Sequence, residues 1–222
     1  MTPLRNKHRG EVVYVVGSGP SLNQTNLSAL KGQPVVLCNS AYKLVSTLES
    51  SATYWVVVSG MRMNTFKTVD RGLFSASFRC IGAWPSWIDR GSISKEDVVL
   101  RVPVRRGFFR VMDYSPKNFS SDISDFIFHG GGSSVIFMGI QIAAYLGATK
   151  IVLVGADFGI PPGSTAHHFD SSDGLVWDAV SSSHESAYRA LSSYSRQLAN
   201  QNISLVNGSG WTAETVLPKV EL

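Results

Sequence analysis

Apolar positions follow two rules along this chain. Short unbroken apolar runs, bounded by glycine, proline, asparagine or serine, read as strands buried on both faces; longer segments with apolar residues three and four apart read as helices. The runs predict strands at Glu11–Gly17, Pro34–Asn39, Thr53–Val58, Phe78–Gly82, Val98–Val102, Asp125–His129, Lys150–Val154 and Ile203–Asn207. The helical periodicity predicts Leu22–Lys31, Ala41–Leu48, Ser134–Gly147 and His184–Asn200. In the third of these, Val135, Met138, Ile142 and Leu146 keep the spacing; in the last, Ala187, Leu191, Tyr194 and Leu198 do. A βαβαβ order, a less regular middle and a second βαβαβ predict an α/β fold. Its expected form is a single Rossmann-like, doubly wound, mainly parallel sheet with helices on both faces.

Two segments break the alternation, 60–114 and 158–183. The first holds Trp84-Pro85-Ser86-Trp87 and the basic-aromatic run Arg105 to Arg110; the second is rich in Gly, Ser, Pro and Asp. Irregular stretches this long inside an α/β domain usually carry function. They are expected to form lid or substrate segments within one nucleotide-binding domain spanning residues 1–222.

Composition narrows the classes. With 44% hydrophobic and 16% charged residues, a chain of 222 is globular in character and long enough for a substantial core. The net charge of +4 comes from scattered basic residues rather than a dense stripe. That disfavours nucleic acid as a partner and suits an anionic small molecule. The residues before Arg9 include no apolar signal core, and no stretch approaches the length of a membrane span. Cys38 and Cys80, both in apolar runs, read as buried thiols rather than a bridge. A cytoplasmic protein, at most peripheral to a membrane, is expected, and association into oligomers is compatible with this reading.

Candidate chemistry gathers where strands end. The run to Val16 stops at Gly17-Ser18-Gly19-Pro20, followed by a predicted helix that Ser21 can cap. Glycine permits close approach of a ligand, and a helix start offers N–H donors to a phosphate. The same turn can instead serve only tight strand-to-helix packing, and it is neither a full dinucleotide fingerprint nor a Walker loop. Asn39 can bond a base or ribose, or cap the next helix. Gly130-Gly131-Gly132-Ser133-Ser134 opens a helix with the same anion-binding logic, or is a flexible turn with a serine cap. Asp157 can hold a ribose, a sugar hydroxyl or a metal, or tie down its own loop.

Ser182-Ser183-His184-Glu185 reads as a capping box, which sets His184 in a first helical turn. There the helix dipole disfavours the imidazolium, as a general base requires; a solvated first-turn histidine is the bland counterpart. His167 and His168 lie in the long loop, where substrate contact is expected. Metal ligation with Asp157, Asp170 and Asp173 lacks any zinc-type spacing. Arg105, Arg106 and Arg110, with Phe108 and Phe109, can hold a carboxylate or phosphate, or form a solvated basic loop. No Gly-x-Ser-x-Gly elbow supports a serine hydrolase.

Taken together, Val16-Gly17-Ser18-Gly19-Pro20-Ser21-Leu22, Cys38-Asn39, Gly131-Gly132-Ser133-Ser134-Val135, and Ala143-Ala144-Tyr145-Leu146-Gly147 running into Ile151–Phe158 resemble one superfamily. It holds motility-associated-factor flagellin glycosyltransferases, 6-hydroxymethylpterin diphosphokinase-like proteins and bacterial lipooligosaccharide sialyltransferases. The likeness covers both ends of the chain and leaves the middle unmatched. In site layout it resembles the sialyltransferases, which implies transfer of a sialic acid or related nonulosonate from a CMP-sugar to a glycan or other hydroxyl acceptor. That transfer uses no cofactor or metal and a histidine base, matched here by His184. The resemblance implies nucleotide contacts from Ser18, Asn39 and Ser133. The family's tyrosines after the Asp-Phe pair, which help the phosphate leave, are replaced by Gly159 and by His167 or His168. The turn Val206-Asn207-Gly208-Ser209-Gly210 resembles the other two branches, and the diphosphokinase-like one implies magnesium. Their third strand often ends in Asp, where this chain has Ser59 after Val58. Expected catalytic residues are thus His184 and His168, with Arg106, Arg110 and His167 on the substrate. Nucleotide contacts are expected from Gly17, Ser18, Gly19, Pro20, Ser21, Asn39, Gly132, Ser133, Ser134 and Asp157.

Overall fold

The computed structural model describes residues 4–57, 68–81, 97–101, 134–158, 169, 181–209 and 216–222. Seven strands form one sheet: β1 (Val12–Val16), β2 (Pro34–Cys38), β3 (Ala52–Val57), β4 (Ala76–Ile81), β5 (Asp97–Arg101), β6 (Lys150–Val154) and β7 (Ser204–Asn207). Their order is β5-β4-β3-β2-β1-β6-β7 and every pairing is parallel. The sheet winds outward from β1 in one direction through β2 to β5, and in the other through β6 and β7. This is an α/β fold of Rossmann-like strand order. The register aligns Val16 with both Leu37 and Val154, so the carboxyl ends of β1, β2 and β6 share one rim. The predicted strand at 125–129 lies outside the described residues.

The valine-rich strands are buried because both faces of the sheet are covered. On one face, α1 (Val135–Tyr145) and α2 (Ser181–Ala199) share a core with Val13, Val15, Val36, Tyr54, Val56, Ile151, Leu153 and Leu205. Helix α1 is apolar all round, and ten of its eleven residues are buried, as expected of a helix enclosed by its protein. Gly139 lets it lie close on the sheet: a Cβ there would meet Val15 Cγ1 at 2.6 Å and Cys38 Sγ at 2.9 Å.

The opposite face is built differently from the sequence expectation. Val16, Leu37, Trp55, Val57, Val152 and Val154 are covered there by Leu22, Leu30, Ala41, Leu48 and Phe74. These covering residues lie on or beside short 3-10 helices, Pro20–Gln24, Leu27–Leu30, Asn39–Leu44 and Arg71–Leu73. The predicted α-helices over 22–31 and 41–48 are thus corrected, and both described α-helices pack on one face. Asn26 supplies part of the reason: its Oδ1 accepts from the Ser28 N–H and hydroxyl, at 3.1 and 2.7 Å. This local bonding breaks the segment and starts a new turn.

The amino rim is closed by the first described residues. Asn6, His8 and Gly10 donate N–H bonds to Tyr145, Leu146 and Gly147, satisfying carbonyls that the end of α1 leaves open. Among the described residues, no helix is long and apolar enough to cross a membrane.

Candidate functional site

In open parallel sheets, ligands bind beyond the carboxyl ends of the strands, where the winding direction reverses. Here that point lies between β1 and β6. The turns that follow them, Gly17–Ser21 and Gly155–Phe158, sit abreast and interlock. Gly17 N–H donates to Val154 O (2.7 Å), and Gly19 N–H donates to Gly155 O (2.9 Å). A Cβ on Gly17 would collide with the Gly155 carbonyl, and one on Gly19 with the Asp157 carboxylate. Gly155 has φ 63°, and a Cβ there would meet Leu22 Cγ at 2.6 Å. Each glycine is required by close approach of protein to protein.

Asp157 completes the joint. Its carboxylate is only 3% exposed and reaches across to the 3-10 helix Pro20–Gln24. Oδ2 accepts the Ser21 N–H at 2.8 Å, and Oδ1 accepts the Ser21 hydroxyl. Gly19 is the N-cap of that helix and makes no side-chain cap bond, so Asp157 acts as its cap from another strand. Burial pushes the Asp157 carboxyl above the ordinary carboxylate range, and the two bonds from Ser21 oppose that rise.

These contacts correct the expectation for the first glycine turn. The amides of Gly17, Gly19 and Ser21 donate within the protein, Pro20 has none, and the predicted α-helix start is a five-residue 3-10 helix. Ser21 is no N-cap; its hydroxyl belongs to Asp157. Two further bonds reach this turn: Phe169 N–H donates to Ser18 O at 2.9 Å, and Asn23 Nδ2 donates to Phe169 O at 3.3 Å.

Other sequence-derived candidates flank the joint. Asn39, half-buried, leaves β2 with φ 47°, a left-handed conformation that asparagine tolerates better than most residues. Its carbonyl accepts the Trp55 indole N–H at 2.9 Å. Ser134 caps α1, its hydroxyl accepting the Ile136 N–H at 3.3 Å. The first turn of α1 reaches the glycine turn, since a Cβ on Gly17 would meet Ile136 Cδ1 at 2.9 Å. Gly132, Ser133, Arg106, Arg110, His167 and His168 lie outside the described residues, as do Asp170 and Asp173. Among the described residues, no three His, Cys, Asp or Glu side chains converge on a metal-sized site.

Helix α2 precedes β7, and Tyr188 in its second turn meets Phe158 just past the end of β6, which sets its first turns at the carboxyl rim. It starts by Ser181, so Ser182 is inside the helix and is not the cap of a capping box. His184 occupies the position one turn before Tyr188, in heptad register with the buried Leu191 and Leu198. The Tyr188 ring stands edge-on to Phe158, 6.3 Å between centroids. Phe158 in turn stacks on Phe137 of α1 at 5.8 Å. Its backbone is left-handed, φ 49°, which costs a bulky residue on the order of 1–3 kcal/mol.

The aromatic trio Phe137, Phe158 and Tyr188 escaped the sequence reading, as did the grip of Trp55 on Asn39. Only the adjacency of β1 and β6 would have signalled the Ser21–Asp157 contact. No family model, curated protein or solved structure matches this chain.

Proposed function

We propose that this chain is a nucleotide-sugar-dependent glycosyltransferase working at the carboxyl rim between β1, β2 and β6. Its donor is a CMP-linked nonulosonate such as CMP-sialic acid, and its acceptor a hydroxyl on a glycan or similar molecule. One observation carries the reading: the Tyr188–Phe158 contact joins α2 to the β6 turn one helical turn from His184. A histidine at that register position and the buried Asp157 thus belong to elements meeting at the winding reversal, where Rossmann-like sheets take nucleotides.

In this mechanism, an imidazole nitrogen of His184 takes the proton from the acceptor hydroxyl as its oxygen bonds to the anomeric carbon. The bond from that carbon to the donor phosphate oxygen breaks, and its electron pair leaves with CMP. His168 or Arg106 neutralises the departing phosphate. The nucleotide is held by the Asn39 turn and by Ser133 and Ser134 before α1. The first glycine turn forms one wall and contributes little grip on the phosphate, because the amides of Gly17, Gly19 and Ser21 already have partners. No cofactor or metal takes part.

The test is to incubate the protein with CMP-sialic acid and follow free CMP by chromatography. Release above the spontaneous rate, without added metal, is the expected result. No release, together with thermal stabilisation by ATP only when magnesium is present, would replace this reading with the pyrophosphoryl transfer of the diphosphokinase-like branch. Binding of nucleotides without turnover of any donor would leave a nucleotide-binding protein.

A further inference from the structure

We infer that Phe158 is a positioning residue, a strained aromatic wedge that sets the first turns of α2 against the Ser21–Asp157 joint. Three observations meet at this side chain. Its backbone is left-handed at φ 49°, a conformation that persists in a phenylalanine only where the surroundings enforce it. Its ring is held between the two α-helices, stacked on Phe137 at 5.8 Å and edge-on to Tyr188 at 6.3 Å. It directly follows Asp157, whose carboxylate is bound to Ser21, so the chain has little freedom on that side.

A residue needed only for packing could fill this space from a relaxed backbone. Here the left-handed turn throws the ring away from the path of β6 and into the gap between α1 and α2. Phe137 also touches Tyr194, at 5.2 Å. Phe158 thus holds α2 at Tyr188, near its start, while Phe137 holds the same helix further along at Tyr194. This inference rests on His184 being the base, and it adds which residue sets the distance between that base and the nucleotide.

The experiment compares wild type with Phe158→Leu, which keeps apolar bulk but loses the ring faces, and Phe158→Tyr, which keeps them. Two readouts are taken: amide hydrogen exchange by mass spectrometry, and turnover of CMP-sialic acid as kcat and KM. Phe158→Leu is expected to speed exchange in residues 181–190 about tenfold, with the amides of β1, β2 and β6 unchanged. It should lower kcat roughly 10- to 100-fold while KM stays within about twofold, because misplacing a base costs rate rather than ground-state binding. Phe158→Tyr should restore both. Unchanged exchange in α2 overturns the inference, and so does a wild-type kcat in Phe158→Leu. A wild type that turns over no donor sinks the transferase reading alone: faster α2 exchange in Phe158→Leu, restored in Phe158→Tyr, then still establishes the wedge.

Discussion

The carboxylate of Asp157 accepts both the backbone N–H and the hydroxyl of Ser21, joining turns 136 positions apart in the chain. The contact decides how the rim can be used. A glycine turn with open amides attracts an anion; one already capped by the protein's own carboxylate repels it. Under the proposed function the donor phosphate therefore meets other groups, the Asn39 turn and the start of α1 among them.

The joint carries a pH signature. Burial raises the folded-state pKa of Asp157 above its ordinary value of 3.8. A carboxyl with a raised folded pKa contributes stability that is fully present below the unfolded value and lost as pH rises through the folded one. Asp157→Asn cannot titrate. The stability of wild type minus that of Asp157→Asn, measured by urea unfolding, should therefore fall as pH rises from about 4 through the raised pKa. A flat difference would show that the bonds from Ser21 balance desolvation, and one that climbs with pH that they outweigh it.

The interlock of the two turns makes glycine substitutions unequal. At Gly17 an added Cβ collides with the Gly155 backbone carbonyl and comes within 2.9 Å of Ile136 Cδ1. At Gly32 a Cβ meets nothing within 4 Å, and only the φ of 72° opposes it. Gly17→Ala should lower stability by about 3 kcal/mol, since backbone cannot step aside cheaply. Gly32→Ala should cost about 1 kcal/mol. Denaturant melts of the two variants check the ranking, and equal losses would mean that the turns are free to separate.

How far the sequence reveals this molecule follows from what each part is made of. Parallel strands buried on both faces are written as unbroken runs such as Val12–Val16 and Ile151–Val154, so they can be read without tertiary information. Helix α1 is equally legible because its serine cap and apolar length are local. The segment from Pro20 to Lys31 misleads, because Leu27 and Leu30, three apart, suggest a helix while Asn26 and Ser28 bond locally and break it. The site is legible only as a set of candidates. Gly17, Ser21, Asn39 and Asp157 stand at the predicted rim, but what Asp157 does depends on β6 lying beside β1. Strand order is not written in any one stretch of residues.

Asn39 separates turn-making from ligand contact. Glycine accepts a φ of 47° without penalty, so Asn39→Gly preserves the exit from β2 and the carbonyl that holds the Trp55 indole. The variant should lose no more than about 1 kcal/mol of stability, the scale of one side-chain bond, and so still fold. A side-chain amide bonded to the nucleotide is worth about 1 kcal/mol, so CMP affinity should weaken about five- to tenfold by calorimetry. Unaltered affinity would assign Asn39 to the backbone alone.

His184 carries the sharpest prediction. Removing a general base typically lowers turnover 10²- to 10⁴-fold, roughly, whereas a solvated histidine on a helix contributes nothing to rate. His184→Ala should therefore release CMP from CMP-sialic acid more slowly by that factor, with CMP affinity unchanged, because the base acts on the acceptor and not on the nucleotide. His184→Gln should behave like alanine, since glutamine keeps polarity and length but accepts no proton. The control is Ala187→Ser, one turn along the same helix, which should leave turnover within about twofold. Comparable rates for wild type and His184→Ala would remove the base from the mechanism and move the search for it to His167 and His168.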